Sequence, residues 1–278
     1  MKNKLFISDL DGTLLNDAAV LSHFSRKNLN KLIKKGLKFS VASARSVFSI
    51  KKMLRGLKLK LPVIEFNGAF ISEFNTGEHL IINEISPQIK ENIFFDIIES
   101  YPFPLISSFN GKKDLLYYTN ALNEGSKWYI NDRKASNDKR LKHIQSLDST
   151  LDESIICFTI IDKKSKLERL KAILEEKYGE ELEIHFTENN YSPGWHWLTI
   201  HDVNATKDHA IRELIKITNH NLDDLVVFGD DVNDIKMFKD ASLAIAVSNA
   251  KQITKKYADL IIGDNNNDSV VKYLLNNF

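Results

Sequence analysis

The chain has 278 residues, of which 43% are hydrophobic and 27% charged, a composition typical of a soluble globular protein with room for one large domain or two. Its 38 basic and 37 acidic residues leave a formal charge of +1. That balance argues against a nucleic-acid binder that relies on a broad basic surface.

The cysteine content and the lengths of the hydrophobic runs further limit the class of protein to which the chain can belong. Cys157 is the only cysteine, so no intrachain disulfide can form, and its apolar neighbours predict a small buried side chain. No run reaches the length of a membrane span, and the first apolar run is too short for a signal peptide. A cytoplasmic location is therefore the default expectation.

The first predicted strand covers residues 4–8, a short apolar run that ends at Asp9-Leu10-Asp11-Gly12-Thr13. Gly12 allows a tight turn, so both carboxylates follow directly where the strand stops. Ligands of an open α/β sheet bind beyond the carboxyl ends of its strands. Asp9 and Asp11 are therefore candidates for a nucleophile and an acid.

The rest of the first third of the chain alternates between segments with helical spacing of apolar residues and segments typical of strands. Apolar spacing predicts a helix over 22–35, a strand over 37–42, a helix over 46–57 and a strand over 62–66. Two extended runs around Asn75-Thr76-Gly77 predict a hairpin. The strand–helix order favours a parallel sheet with right-handed crossovers.

The pattern changes near Glu84, where we expect a second, α+β domain to be inserted over residues 85–193. The predicted core domain then consists of 1–84 and 194–278. The elements expected inside the insertion are a helix after Ser86-Pro87, an antiparallel strand pair at 104–107 and 115–118, a strand at 154–161, a helix at 165–178 and a strand at 182–186.

The core domain is predicted to resume with a strand at 197–200 and a helix that ends near Ile217, with Lys207 in its first turn. A helix N-terminus favours an anion, and a lone lysine there would usually be only solvated. An apolar strand at 225–228 follows and ends in Gly229-Asp230-Asp231-Val232-Asn233-Asp234.

The carboxylates that follow the late strand are those of Asp230, Asp231 and Asp234. They would repel one another, and they would also repel Asp9 and Asp11 if the two strands end at the same edge of the sheet. Two charges about 4 Å apart interact by roughly 4 kcal/mol at an effective dielectric of about 20. A divalent cation would offset this repulsion, and hard carboxylate oxygens suit Mg²⁺. The pattern therefore predicts a magnesium site.

These motifs, taken in order, resemble the signatures of the haloacid dehalogenase (HAD) superfamily, and most closely its Cof-type phosphatase branch. The similar features are Asp-x-Asp-Gly-Thr at Asp9, a serine after the second strand at Ser43, Asn67-Gly68 after the third, Lys207, and Gly-Asp-x-x-Asn-Asp at 229–234. The resemblance covers essentially the whole chain. It implies a Rossmann-like parallel-sheet core with an inserted α+β cap domain.

The resemblance also implies roles, position by position. Asp9 is expected to attack phosphorus and form an aspartyl-phosphate, with Asp11 as the general acid and base. The roles implied for the other positions are phosphate binding by Ser43, Lys207 and Asn233, proximity to substrate for Asn67 and Gly68, orientation of Lys207 or a metal-bound water by Asp234, and Mg²⁺ binding by Asp9, the Asp11 main-chain carbonyl and Asp230.

The chain departs from the branch pattern at a few positions. Ala44 stands where a glycine is usual, and Asp231 stands where the branch often has Gly or Asn, so its role is open. Arg45 is expected at the surface or at a domain contact rather than in catalysis.

The expected function is that of a magnesium-dependent phosphatase of small phosphorylated metabolites, such as sugar phosphates or related cofactors. The alternatives are a phosphomutase of a related HAD branch and a non-catalytic metabolite-binding HAD scaffold. The oligomeric state and the substrate are left open. The aromatic residues that could line a substrate pocket, with core packing the commoner role, are Trp128, Tyr129, Tyr191, Trp195, His196 and Trp197.

Overall fold

A computed structural model of the chain describes residues 4–188 and 192–278. In chain order, the strands are β1 (Leu5–Ser8), β2 (Lys38–Val41), β3 (Val63–Glu65), β4 (Phe70–Ser72), β5 (His79–Ile82), β6 (Leu105–Phe109), β7 (Asp114–Tyr118), β8 (Leu141–His143), β9 (Ser154–Asp162), β10 (Leu182–Glu188), β11 (His196–Asp202), β12 (Leu225–Gly229), β13 (Leu243–Val247) and β14 (Leu260–Ile262). The helices are α1 (His23–Lys34), α2 (Val47–Met53), α3 (Lys90–Ser100), α4 (Glu124–Ala135), α5 (Lys164–Tyr178), α6 (Lys207–Thr218), α7 (Ile235–Asp240), α8 (Gln252–Lys255) and α9 (Ser269–Asn277).

The chain divides into two compact units. The core unit comprises Met1–Ile82 and Ala205–Phe278, and the inserted unit comprises Asn83–Asn204. In the two described ranges, no helix combines the length and the apolar character needed to cross a membrane.

The core unit is built on a five-stranded parallel sheet in the order β14-β13-β12-β1-β2. Every residue of β1 and of β12 is buried, as expected for central strands that helices cover on both faces. Ser8 pairs with Phe228, so the residues that follow these two strands emerge side by side at one edge. The predicted convergence of the early and late acidic motifs at one sheet edge is confirmed.

Helix α6 of the core unit begins at Lys207, and its N-cap fixes the position of that residue. Thr206 is the N-cap and its side chain accepts a hydrogen bond from the backbone N–H of His209. Asn219 ends the helix in the left-handed region at φ 53°. The helix buries one apolar stripe and Lys207 itself, which lies in the first turn as predicted.

The third predicted strand differs from expectation. Strand β3 belongs to a separate antiparallel sheet in the order β3-β4-β5, and meets the parallel sheet only through a bridge between Ala42 and Ile64. The hairpin predicted around residues 75–77 is confirmed, since β4 and β5 pair antiparallel on either side of it.

The inserted unit holds a six-stranded sheet in the order β10-β11-β9-β6-β7-β8, antiparallel except between β7 and β8. Helices α3 and α5 share one apolar cluster with this sheet, and α4 packs into a second cluster through Ile130. Sequence periodicity missed α4, because Ile130 is the one large apolar residue that this helix buries.

The predicted return to the core at residue 194 needs correction. Strand β11, assigned to the core from its sequence, pairs with β9 and β10, placing Thr199 opposite Thr159 and Ile200 opposite Ile184. Its alternating pattern suits any half-buried sheet, and local sequence does not select the partner strand. The inserted unit therefore ends at Asn204, whereas its start at Asn83 lies two residues from the predicted one.

Several aromatic candidates take part in packing within the inserted unit. Trp197 meets Tyr129 edge-on with ring centroids 4.8 Å apart, and the Lys163 ammonium lies 3.8 Å from the centre of the Trp195 ring. Tyr191 lies outside the described residues. Cys157 is buried as predicted, and burial raises the pKa of its thiol to about 12.

Candidate active site

Asp9 stands at the end of β1 in a position fixed by the sheet. Its backbone N–H donates to the Phe228 carbonyl at 2.9 Å, which continues the ladder between the two central strands. The chain then turns at Gly12, with φ 75°. A Cβ atom there would lie 2.5 Å from Oδ2 of Asp230, so only glycine lets the first loop approach that carboxylate.

Lys207 connects three distant segments of the chain. Its ammonium donates to Oδ1 of Asp9 at 2.5 Å and to Oδ1 of Asp234 at 2.7 Å, and its side chain is fully buried. The second oxygen of Asp234 accepts the backbone N–H groups of Asp230 at 2.8 Å and of Asp231 at 3.0 Å. The contact required by the predicted role of Asp234 in orienting Lys207 is therefore present.

The charges in this cluster do not balance. Asp9, Asp230 and Asp234 each place a carboxylate oxygen within 4.8 Å of the others, and three carboxylates with one ammonium sum to −2 when all are ionised. Burial and the charge of Asp234 raise the pKa of Asp230 to about 7. Burial also raises the pKa of Asp9, against the opposing effect of Lys207.

Lys207 itself stays protonated. Burial lowers the pKa of its ammonium, but the carboxylates of Asp234 and Asp9 outweigh burial and bring that pKa above its ordinary value. The excess negative charge is therefore carried by the carboxylates, which favours uptake of a proton or a cation at this place.

The donor set fits a hard divalent cation. Both oxygens of Asp234 are already committed, Oδ1 of Asp9 accepts from Lys207, and Oδ1 of Asp230 accepts from the Thr13 hydroxyl at 2.7 Å. Over residues 4–188 and 192–278, Oδ2 of Asp9 and Oδ2 of Asp230 accept no hydrogen bond. These two oxygens suit a cation that prefers carboxylate ligands.

Three of the residues predicted to bind phosphate or to lie near substrate, Ser43, Asn67 and Asn233, form one hydrogen-bonded series. The backbone N–H of Asn67 donates to the Ser43 carbonyl at 2.9 Å, and the Asn233 side-chain amide donates to Oδ1 of Asn67 at 3.0 Å. A Cβ at Gly68 would lie 2.3 Å from the Thr206 carbonyl, so glycine brings this loop against the start of α6. The roles of these residues stay predictions.

Asp11 lies apart from the buried cluster and pairs with Arg45. The arginine Nε lies 2.6 Å from Oδ2 of Asp11, and its Nη2 lies 2.7 Å from Oδ1. Arg45 was expected at the surface or at a domain contact, yet only 22% of its side chain is exposed. The sequence carries no signal for this pair, because nothing local specifies a partner 34 positions away.

Two further side chains, those of Thr13 and Asp231, make hydrogen bonds in the loops that follow β1 and β12. Thr13, a member of the first motif to which sequence reasoning gave no role, holds Asp230 in place. Asp231 is not one of the three clustered carboxylates, although its charge adds to the rise in the pKa of Asp230: its Oδ1 accepts the Val232 N–H at 2.5 Å and pairs with the Lys251 ammonium at 2.6 Å. Asp231 is therefore the N-cap of the short helical turn that leads to Asp234.

A family model described as haloacid dehalogenase-like hydrolase matches residues 6–274. The chain belongs to this family. The predicted superfamily and the fold class are thereby confirmed. A solved haloacid dehalogenase-like hydrolase from Bacteroides thetaiotaomicron has a similar fold, with a TM-score of 0.80, 20% identity and coverage of 99% of each chain.

Two relatives of this HAD-like hydrolase carry named activities. A 5-amino-6-(5-phospho-D-ribitylamino)uracil phosphatase from Bacillus subtilis is 24% identical over 98% of this chain and 96% of its own length. A pyridoxal phosphate phosphatase from Escherichia coli is 22% identical over 99% of this chain and 98% of its own.

Proposed function

We propose that this HAD-like hydrolase is a magnesium-dependent phosphatase of small phosphorylated metabolites that works through an aspartyl-phosphate intermediate. The observation that carries the proposal is the buried cluster in which Lys207 joins Asp9 and Asp234, with Asp230 beside them. The two named relatives, both phosphatases of small phosphorylated compounds, support the same substrate class.

The first half-reaction uses Asp9 as the nucleophile. A carboxylate oxygen of Asp9 forms a bond to phosphorus while the bond from phosphorus to the leaving oxygen breaks. Asp11 delivers its proton to that oxygen, so the organic product leaves as an alcohol. Lys207 neutralises charge on the transferring group, and Ser43 and Asn233 hold its oxygens.

The second half-reaction returns the enzyme to its starting state. Asp11, now ionised, takes a proton from water while the water oxygen bonds to phosphorus and the bond from phosphorus to Asp9 breaks. Inorganic phosphate leaves. Asp234 keeps Lys207 in place throughout, because its two oxygens hold both the ammonium and the backbone of the 230–231 turn.

Magnesium fits the donor set of the cluster. The carboxylates of Asp9 and Asp230 and the main-chain carbonyl of Asp11 would hold it, and the bound ion would supply Lewis-acid neutralisation of the phosphoryl oxygens. Without a cation, the three carboxylates resist the approach of a phosphate dianion.

The inserted unit is proposed to act as the cap that excludes water and reads the leaving group. Phosphate supplies the part of the substrate common to all candidates, so discrimination between metabolites falls to residues outside the cluster. A cytoplasmic location stays a prediction.

The test is release of phosphate from p-nitrophenyl phosphate and from a panel of phosphorylated metabolites, with magnesium and with a chelator. We expect magnesium-dependent release that Asp9→Asn abolishes. Formation of a hexose 6-phosphate from a hexose 1-phosphate, without free phosphate, would instead indicate a phosphomutase. Thermal stabilisation by a metabolite without turnover would indicate a binding scaffold.

A further inference from the structure

The ion pair between Arg45 and Asp11 neutralises the charge of the Asp11 carboxylate and also fixes its orientation. Two parallel hydrogen bonds, of 2.6 and 2.7 Å, join the planar guanidinium to both oxygens of the carboxylate. Bidentate geometry of this kind fixes the plane of the carboxylate, which a single contact to an ammonium does not do.

The backbone of Arg45 is held by the loop that contains the predicted phosphate ligand. Its N–H donates to the Ser43 hydroxyl at 3.2 Å, and its carbonyl accepts the N–H of Phe66 at 3.1 Å. Two residues further on, the N–H of Val47 donates to the fully buried carboxylate of Glu65, which fixes the start of α2. The guanidinium is therefore carried on a backbone tied down on both sides.

Folding stability alone does not specify this arrangement. Asp11 has 38% of its side chain exposed and Arg45 has 22%, so solvent screens the charges of the pair in part, although a bidentate pair contributes more than an ordinary surface pair. What the two-point contact adds to any stabilisation is the orientation that it imposes on Asp11.

We propose that Arg45 is a positioning residue for Asp11, which it holds in the orientation needed for proton transfer. The inference rests on the proposed phosphatase function and assigns Arg45 no contact with the phosphoryl group. In the first half-reaction the protonated Asp11 keeps one hydrogen bond from Arg45 on one oxygen and gives the proton on its other oxygen to the leaving oxygen. In the second, that same oxygen takes a proton from the attacking water, and the two-point pair is the arrangement of the ionised Asp11 between the two steps.

A double-mutant cycle on kcat tests the inference. We expect Arg45→Ala to lower kcat by about 10- to 100-fold, because small displacements of a catalytic group have effects of this size. In an Asp11→Asn background the same substitution should change kcat less than twofold, since nothing is left to position. Losses that multiply in the double variant would overturn the inference.

The leaving group provides a second readout that a merely structural role would not move. 2,4-Dinitrophenolate departs without a proton, whereas the alcohol of an alkyl phosphate needs one. Arg45→Ala should therefore lower kcat/KM with an alkyl phosphate by about 10-fold or more, and with 2,4-dinitrophenyl phosphate by less than threefold. Equal losses with both substrates would show direct phosphate binding by Arg45 and overturn the inference.

Two control variants and the wild type separate the outcomes. Arg55→Ala removes an exposed arginine just after α2 and should leave both kinetic constants unchanged. Arg45→Gln repeats the experiment with a longer side chain if the alanine variant unfolds. Phosphate release that both Arg45 variants leave intact overturns this inference alone, whereas a wild-type chain that releases no phosphate overturns the proposed function as well.

Discussion

Each unit of the molecule contains a buried ionic cluster, and the two differ in charge balance. In the core unit, Lys207 faces carboxylates that outnumber it. In the inserted unit, Arg140 binds Asp138 through contacts of 2.7 and 3.0 Å, and Arg133 lies 3.9 Å from the same carboxylate and also binds Asp132. Two guanidinium groups thus contact two carboxylates, and Asp114 adds a third carboxylate that acts on Arg140.

The titration of the two clusters follows from this balance. Burial raises the pKa of Asp138, but the hydrogen bonds and charge of Arg140 lower it more, so it ends below its usual value. The pKa of Asp230 instead rises to about 7. A cluster whose guanidinium groups nearly match its carboxylates keeps those carboxylates ionised without a further cation, whereas a cluster with a larger excess of negative charge favours the uptake of one. Burial of charge alone therefore does not identify a functional site.

The largest effect is expected when the ammonium of the unbalanced cluster is removed. Lys207→Met keeps the length of the side chain but leaves the phosphoryl group without its charged partner. Groups that neutralise a transferring phosphoryl contribute on the order of 10³-fold or more, so kcat/KM should fall by at least about that factor. Steady-state kinetics with p-nitrophenyl phosphate measure it, and a loss below tenfold would contradict the assignment.

The equivalent change in the more nearly balanced cluster should affect stability instead. Arg140→Met leaves Asp138 buried with only the more distant Arg133, and breaking a buried pair in this way costs about 3 kcal/mol. Urea titration should show this loss, while kcat per folded molecule stays within twofold. A large fall in kcat without a change in stability would remove the distinction between the clusters.

The unbalanced cluster should destabilise the metal-free protein at neutral pH. An unfolded aspartate titrates near 3.9, so between about pH 4 and 7 the folded state binds more protons through Asp230 and the free energy of unfolding falls as pH rises. Asp230→Asn should then stabilise the chelated protein at pH 8, by roughly 1–3 kcal/mol at ~1.4 kcal/mol per pKa unit.

Magnesium should reverse the order of these two proteins. It stabilises the wild type by mass action but has no complete site in Asp230→Asn. Thermal melts of both proteins with magnesium and with a chelator measure both effects. An Asp230→Asn protein that is less stable than wild type in the chelator at pH 8 would refute the account of the excess charge.

The smallest effect on activity and stability is expected from the residue next to Asp230. Asp231 is 38% exposed on its side chain and pairs with Lys251 outside the cluster. Asp231→Asn should therefore change stability and kcat/KM by less than about 0.5 kcal/mol each, as is usual for surface positions. A change comparable to that of Asp230→Asn would place Asp231 in the site after all.

The sequence predicts the core of the site well because each motif follows a strand whose position is set by burial. Strands β1 and β12 are buried throughout and apolar apart from Ser8 and Gly229, which places them together in the middle of the sheet and brings Asp9 and Asp230 to one edge. The convergence of Lys207 then requires only that α6 begins where Thr206 caps it.

Other features depend on contacts that local sequence does not encode. The pattern of β11 fits any sheet, so its pairing with β9 was missed. Helix α4 buries too few apolar residues to show a period. The partner of Asp11 is a side chain 34 positions away, chosen by the loop that carries it. In each case the deciding interaction is tertiary.

The central claim, that Asp9 accepts the phosphoryl group, can be tested directly on the protein. Wild type and Asp11→Asn are mixed with magnesium and 2,4-dinitrophenyl phosphate, whose leaving group needs no proton, then quenched in acid during turnover, digested and analysed by mass spectrometry. We predict a phosphoryl adduct on Asp9, more abundant in Asp11→Asn because the hydrolysis of the intermediate needs a base. Turnover with Asp9 unmodified, or with the adduct on another residue, would contradict the account.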